Sequence, residues 1–384
     1  MADLKVRQVE THLVGANWRN FVFVRVLTDG GLEGAGEATI EWQPQAVAAA
    51  VRQLAERHLV GRSAFGIEDV WQRMYRDEFI RGDALLLSAI GGIEMALWDI
   101  VGQALGQPVH RLLGGPVRDT LPAYANGWYR GERRPELYAK QARAVVGRGY
   151  RALKFDPFGA NGREMPRSEF NLAVDIIGAV REAVGPDAEL LIECHGRFSP
   201  AQAIELARAI QEFRPYWIEE PTDPENIAAL EQCARGFTTR LATGERSFGK
   251  YQTFELLRRG FVDVLQTDLV HSGGILETKK IAAMADACFI PLAPHNPYGP
   301  VAEMATLHLD ACTTNVFIQE SFSEFDVEWR NELVEGGPEI RNGTYSITDR
   351  PGLGVNLNLA VIARHPYDPT AFLPMWQEAW ADRF

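Results

Sequence analysis

The chain has 384 residues, 46% hydrophobic and 23% charged, which fits one large globular domain with a smaller companion and argues against long disordered stretches. A formal net charge of −12 excludes nucleic acid as the partner, because phosphate binding needs a basic face. No stretch reads as the roughly 20 apolar residues of a membrane span, no apolar run follows a basic start, and the four cysteines (Cys194, Cys233, Cys288, Cys312) form no C-x-x-C pair, so the expectation is a cytoplasmic protein with reduced thiols and no membrane partner.

Residues 4–14 and 21–27 read as strands, the second carried by the β-branched and aromatic run Phe21-Val22-Phe23-Val24-Arg25-Val26. Asp29-Gly30-Gly31 supplies a turn, and 32–38 returns as the arm of a hairpin. Helical patterns follow at 44–59, 67–77 and 83–104, the last stopped by Gly106 and Pro108. These describe an N-terminal α+β capping domain over residues 1–119.

From residue 120 the rhythm changes. Short apolar runs, each followed by a helical stretch, recur at Pro122–Asn126, Tyr150–Asp156, Glu189–His195, Pro215–Pro221, Arg240–Glu245, Val262–Asp268, Ile290–His295 and Val316–Glu320. Eight β-then-α units imply parallel strands closed into a (β/α)8 TIM barrel over 120–325. An open doubly wound sheet is the alternative, but no glycine-rich phosphate loop follows Asn126. Residues 326–384 are turn-rich and are expected to pack back on the capping domain.

Six of the eight strands end in a residue fit for metal or acid–base chemistry, and in such barrels active sites lie at the carboxyl ends of strands. Glu193, Glu219 and Glu245 end three consecutive strands; carboxylates brought together there repel unless a cation neutralises them, and an all-oxygen set selects Mg²⁺, Mn²⁺ or Ca²⁺ over zinc. Solvated acids at loop starts are the bland alternative, weakened by the common register. Asp268 and His295 end the next two strands, so a carboxylate can orient an imidazole as general base. His195 lies two residues beyond Glu193 and, at strand alternation, faces the same pocket.

The order of motifs resembles the mandelate racemase subgroup of the enolase superfamily: Ala96-Leu97-Trp98-Asp99-Ile100, Gly114-Gly115, Lys154-Phe155-Asp156, Ile218-Glu219-Glu220-Pro221, Gly244-Glu245-Arg246, Asp268-Leu269 with Gly273-Gly274, and Pro294-His295. The strings Glu193-Cys194-His195-Gly196-Arg197, Ala293-Pro294-His295 and Gln319-Glu320 look like the acid-sugar dehydratase branch, which includes galactonate dehydratases. The resemblance implies one Mg²⁺ on Glu193, Glu219 and Glu245, a His295–Asp268 base dyad, His195 as the acid for the leaving hydroxyl, and Lys154 and Glu320 at the substrate carboxylate. It also implies a homo-oligomer, dimer to octamer, and a sugar-acid substrate such as galactonate or gluconate, giving a 2-keto-3-deoxy acid. Two departures stand out. Glu193 occupies a ligand position where many relatives carry Asp, and Asp156 stands where racemases carry a second lysine, which puts racemisation in doubt. The alternatives are a sugar-acid cycloisomerase or epimerase, or an inactive barrel homologue. For Lys154 the plain reading is a salt bridge with Asp156. Substrate contacts are expected from Asn17, Trp18, Arg19, Trp42 and Arg81 in the cap and from Trp128, Tyr129, Asp156 and Arg197 in the barrel.

Overall fold

The computed structural model describes residues 4–377; residues 378–384 of the expected C-terminal segment lie outside them. The chain begins as an antiparallel sheet, β1 (Val6–Ala16), β2 (Arg19–Thr28) and β3 (Glu33–Glu37), with Phe23 of β2 opposite Glu37 of β3. Helices α1 (Pro44–His58), α2 (Ile67–Arg76) and α3 (Ala84–Leu105) cover it. The Asp83 side chain accepts from the Leu86 amide to start α3, and Gly106, at φ 63°, ends it in the left-handed conformation that glycine adopts without strain. Glycine also sets how closely α3 approaches the sheet: a Cβ on Gly36 would lie 1.9 Å from the Gly92 carbonyl oxygen. With 22 residues, α3 is long and apolar enough to cross a membrane, contrary to the expectation from sequence, but most of its surface is packed inside the protein. Its hydrophobicity is that of a core helix.

After the short helix α4 (Val109–Leu112) come strands β4 (Thr120–Ala125), β5 (Ala152–Phe155), β6 (Glu189–Glu193), β7 (Trp217–Glu219), β8 (Arg240–Thr243) and β9 (Val264–Leu265), each parallel to the one before. The seventh strand position is held by single bridges, Leu265 to Leu292 and Leu292 to Val316. The last strand, β10 (Gln319–Ser321), pairs in parallel with β4 and closes the barrel. Seven helices alternate with the strands: α5 (Pro135–Gly147), α6 (Arg167–Val184), α7 (Pro200–Ile210), α8 (Ile227–Gly236), α9 (Gly249–Leu257), α10 (Ile275–Ala287) and α11 (Pro300–Ala311). Among the described residues no crossover helix follows β10, where the chain turns into the irregular C-terminal segment. Tyr124, Ala152, Leu191, Trp217, Ala242, Val264 and Ala293 meet inside the barrel as one buried layer.

That layer sets the register of the site. Two residues on from Ala152, Leu191, Trp217 and Ala293 stand Lys154, Glu193, Glu219 and His295, on the same inward face and nearer the strand ends. The cap is docked over this end by carboxylates. Glu37 accepts from the Gly299 and Ala302 amides (2.7 and 2.9 Å), and Glu94 accepts from the Ile275 and Leu276 amides (2.8 and 2.9 Å). Both sets of amides belong to the first turns of barrel helices, where unpaired N–H groups and the helix dipole favour an anion.

The C-terminal segment divides its contacts. A hairpin over 339–346 pairs with the start of β4 (Tyr345 opposite Leu121), taking the part of that strand that β10 does not reach. Residues 365–368 then run beside the cap, through the Val14–Pro366 bridge and two hydrogen bonds between Asn20 and Asp368. The segment therefore packs on both the barrel and the capping domain, rather than on the cap alone.

Candidate active site

A cavity of about 510 Å³ opens where the cap meets the strand ends. Lys154, Glu193, His195, Glu245 and His295 line its barrel side, Trp18, Glu41 and Trp42 its cap side, and residues 372–377 of the C-terminal segment complete the wall.

Ligand oxygens of Glu193, Glu219 and Glu245 lie within 4.8 Å of one another. Glu193 and Glu219 are inward residues of adjacent strands in direct register, while Glu245 follows Gly244, whose φ of 141° turns the chain out of β8. A Cβ on Gly244 would lie 3.0 Å from the Gln266 backbone nitrogen, so only glycine fits this turn without displacement. Burial, and then the neighbouring Glu219 carboxylate, push the Glu193 carboxyl well above the usual carboxylate range. An acidic cluster under this repulsion fits a divalent cation, and the all-oxygen donor set fits Mg²⁺.

Lys154 is buried at the base of the cluster, 2.7 Å from Glu219, 2.8 Å from Glu320 and 3.5 Å from Glu193. Burial alone would lower its pKa, but Glu219 and Glu320 carry it up and keep the ammonium charged. Its ion pairs are with these glutamates, so the plain Lys154–Asp156 bridge is replaced by a network beneath the cavity. Glu320 is fully buried and accepts from Lys154, from Asn126 Nδ2 (2.8 Å) and from the Asn296 amide (2.7 Å); it lies outside the cavity wall and holds Lys154.

His295 and Asp268 come together as expected, Nδ1 to Oδ2 at 2.6 Å, leaving Nε2 3.5 Å from Glu245. Asp268 also accepts from the Tyr298 hydroxyl (2.5 Å) and the His271 amide (2.8 Å). Burial disfavours the imidazolium, but Glu245 and the Asp268 bond outweigh it and push the His295 pKa up to about 10.

His195 reaches the cavity by a different route from the one expected. β6 ends at Glu193, and His195 sits in the left-handed region at φ 50°, a strained position for a residue with a side chain. Its amide donates to Glu193 Oε1 (2.6 Å), and its Nδ1 lies 2.7 Å from Asp156 Oδ2. Burial lowers its pKa and Asp156 opposes that shift.

Of the expected substrate contacts, Trp18, Trp42 and Tyr129 line the cavity, whereas Arg19, Trp128, Asp156 and Arg197 do not. Arg19 is buried in an ion pair with Asp326 (2.6 Å). Trp128 donates to the Lys154 carbonyl (2.9 Å) inside an aromatic cluster with Tyr138 and Phe155. Arg197 pairs with Asp156 (2.6 Å) and lies 5.2 Å from the centre of the Trp376 ring, so it braces His195 and the C-terminal segment together. Arg81 is exposed and donates to the backbone carbonyls of Arg76, at the end of α2, and of Glu78. Glu41, Arg246 and His271 also line the cavity; Arg246 belongs to the Gly244-Glu245-Arg246 motif but is not among the expected site residues, and neither are Glu41 and His271. Glu41 is a single acid on a loop, without a signal of its own; His271 lies three residues past Asp268, a spacing that marks it only as close to the site.

The description "Mandelate racemase / muconate lactonizing enzyme, N-terminal domain" matches residues 3–114, and "Enolase C-terminal domain-like" matches 137–361. The chain belongs to the mandelate racemase/muconate lactonizing enzyme family of the enolase superfamily. Within this family it is 37% identical over 387 residues to D-galactonate dehydratase of Xanthomonas campestris pv. campestris, covering 98% of each chain. It is 36% identical over 371 residues to D-gluconate dehydratase of Thermoproteus tenax, covering 96% of this chain and 74% of that one. A solved mandelate racemase/muconate lactonizing enzyme from Jannaschia sp. CCS1 superposes with a TM-score of 0.88 at 36% identity, over 95% of this chain and 98% of that one.

Proposed function

We propose that this enzyme is a Mg²⁺-dependent dehydratase of an aldonic acid such as galactonate or gluconate, releasing a 2-keto-3-deoxy acid. The observation that carries the reading is a pair of Asp–His dyads, Asp268–His295 and Asp156–His195, opening on one cavity beside a carboxylate triad and a buried lysine. The resemblance to dehydratases along the full chain supports the same class.

The proton next to a carboxylate is weakly acidic because its removal places charge on the carboxylate oxygens. Mg²⁺ held by Glu193, Glu219 and Glu245 would supply the positive charge that stabilises those oxygens, and a histidine base beside bound Mg²⁺ is an established pattern of enolase-superfamily sites. Lys154, kept charged by Glu219 and Glu320, donates to the same carboxylate. His295 takes the C2 proton on Nε2, since Nδ1 is committed to Asp268. The raised pKa of His295 owes its largest favourable contribution to Glu245, so a cation held by that carboxylate would bring His295 towards the neutral form that a base needs. His195, in its imidazolium form with Asp156 as counter-ion at Nδ1, gives its Nε2 proton to the hydroxyl leaving C3 and returns to the neutral ring; water departs, and the enol tautomerises to the keto acid. Trp18, Trp42 and the C-terminal segment screen the reacting carbon from bulk water.

One observation favours a second reading. The Asp156–His195 pair has the same composition as the base dyad, so it can also serve as a base on the opposite face, as a C2 epimerase requires. The test is a library of aldonic and aldaric acids incubated with enzyme and Mg²⁺, with keto acids trapped by semicarbazide and C2–H exchange followed in D₂O. Keto acid release supports the dehydratase. Exchange with inversion and no keto acid supports the epimerase. Neither signal from any acid would overturn both readings.

A further inference from the structure

We infer that Glu41 makes this site selective for monocarboxylic sugar acids, accepting hydrogen bonds from hydroxyls of the substrate chain and repelling a second carboxylate. The inference rests on the sugar-acid reading above and names the residue that would divide aldonic from aldaric acids.

Glu41 sits between Ile40 and Trp42 on the loop after β3, only 7% exposed, and lines the cavity on its cap side. The triad, Lys154 and both dyads belong to the barrel, and of these His295 is near enough to Glu41 to feel its charge. A substrate whose carboxylate is held at Lys154 extends its hydroxylated chain towards the cap, where Trp18 and Trp42 are apolar and Glu41 contributes the only carboxylate of the cap wall among the described residues.

The cations around the cavity are already committed. Lys154 faces Glu219 and Glu320, Arg246 donates to Glu220 through Nε (2.8 Å), His195 is bonded to Asp156 and His295 to Asp268. His271 is held between the Ser88 and Tyr298 hydroxyls, both at 2.8 Å. A second substrate carboxylate would therefore meet an acid where it needs a base. Hydroxyl groups suit the same position. Within the described residues the Glu41 carboxylate takes a hydrogen bond from its own backbone N–H and none from a side chain, so it keeps acceptor capacity for a ligand. Burial pushes its pKa up, and the nearby His271, then His295, oppose that shift and favour the charged form.

The experiment compares kcat/KM for galactonate and gluconate with kcat/KM for galactarate and glucarate, in the wild type and Glu41→Gln, with Mg²⁺ present. Like charges facing across a dry site cost enough that the wild type is expected to prefer the monoacid by more than about 100-fold. Glu41→Gln, which keeps the shape and removes the charge, is expected to narrow that ratio by about tenfold or more. Glu41→Asp is the second variant; it keeps the charge and so keeps the preference, while a shorter reach raises KM for the monoacid. Equal turnover of mono- and diacids by the wild type, or an unchanged ratio in Glu41→Gln, overturns the inference. Failure of the dehydratase reading has a different signature, no turnover of any acid. Calorimetric titration of the same acids then decides the role of Glu41: tighter binding of the monoacid, lost in Glu41→Gln, upholds it, and equal affinities overturn it.

Discussion

Asp156→Asn separates the two halves of the proposed reaction. Asp156 is fully buried and spends both oxygens: Oδ2 accepts from His195 Nδ1 (2.7 Å) and Arg197 Nη2 (2.6 Å), and Oδ1 accepts from the Phe158 amide (2.8 Å). An amide keeps the volume but loses the charge that holds a proton on Nδ1 and leaves Nε2 to act in the cavity. It also leaves the Arg197 guanidinium buried without its counter-ion. Losing one partner of a buried pair costs about 3–5 kcal/mol of stability, so a lower melting temperature is expected. Removing the carboxylate that orients a catalytic histidine costs up to about 10⁴ in rate, or about 5.5 kcal/mol at 1.36 kcal/mol per tenfold. The loss should fall on C3 elimination alone, because His295 and Asp268 do not touch Asp156. The assay follows keto acid release beside C2–H exchange in D₂O, at a temperature where circular dichroism shows the variant folded. Release should fall by about 10²–10⁴ while exchange persists. If both fall in the same proportion, Asp156 is acting on the fold or on proton abstraction, and its role behind His195 is refuted.

His295→Asn should abolish C2–H exchange as well as keto acid release; exchange that survives, read by proton NMR in D₂O, would remove His295 from the role of base. Glu219→Gln takes a charged ligand from the triad and should weaken Mg²⁺ binding by more than about tenfold in calorimetric titration, and wild-type affinity would sink the assigned ligand set. Glu94, at the cap–barrel junction, is raised by burial from 4.5 to about 7. A group raised in this way holds its contribution to stability in full below pH 4.5 and loses it as the pH climbs to 7. Glu94→Gln cannot ionise, so between about pH 5 and pH 8 it should lose less stability than the wild type, by a difference on the order of 3 kcal/mol. Urea unfolding across that range checks this; parallel pH profiles for the two proteins contradict it.

Much of the fold could be read along the chain because parallel β/α alternation writes itself as a period, and strand ends at that period carry the chemistry. Glu193, Glu219, Asp268 and His295 were legible for that reason. They are reactive residues at the ends of apolar runs, and the barrel has one place to which strand ends point. Asp156 and Glu320 were legible as residues near the site, but the structure puts both behind the cavity wall, Asp156 on His195 and Glu320 on Lys154. The sequence places Asp156 two residues from Lys154, while the structure gives it to His195 and Arg197, 39 and 41 positions away, because β5 ends at Phe155 and Asp156, in the turn beyond it, meets the turn that follows the adjacent strand β6. His195 was placed in the cavity by strand alternation, yet a left-handed turn after Glu193 puts it there. Arg19 and Arg197 show the commonest way a sequence misleads: a cation near a site resembles a ligand contact until its partner is known, and here the partners Asp326 and Asp156 are distant in sequence. The sequence by itself determined the barrel, the clustering of Glu193, Glu219 and Glu245 and the Asp268–His295 pair, since each follows from a local pattern repeated at a fixed interval. Only the tertiary structure decided how Lys154 is held, which carboxylate stands behind His195, and that Glu41 and the C-terminal segment wall the cavity, because those pairings depend on which strands, cap loops and tail meet in space, and no local pattern encodes that.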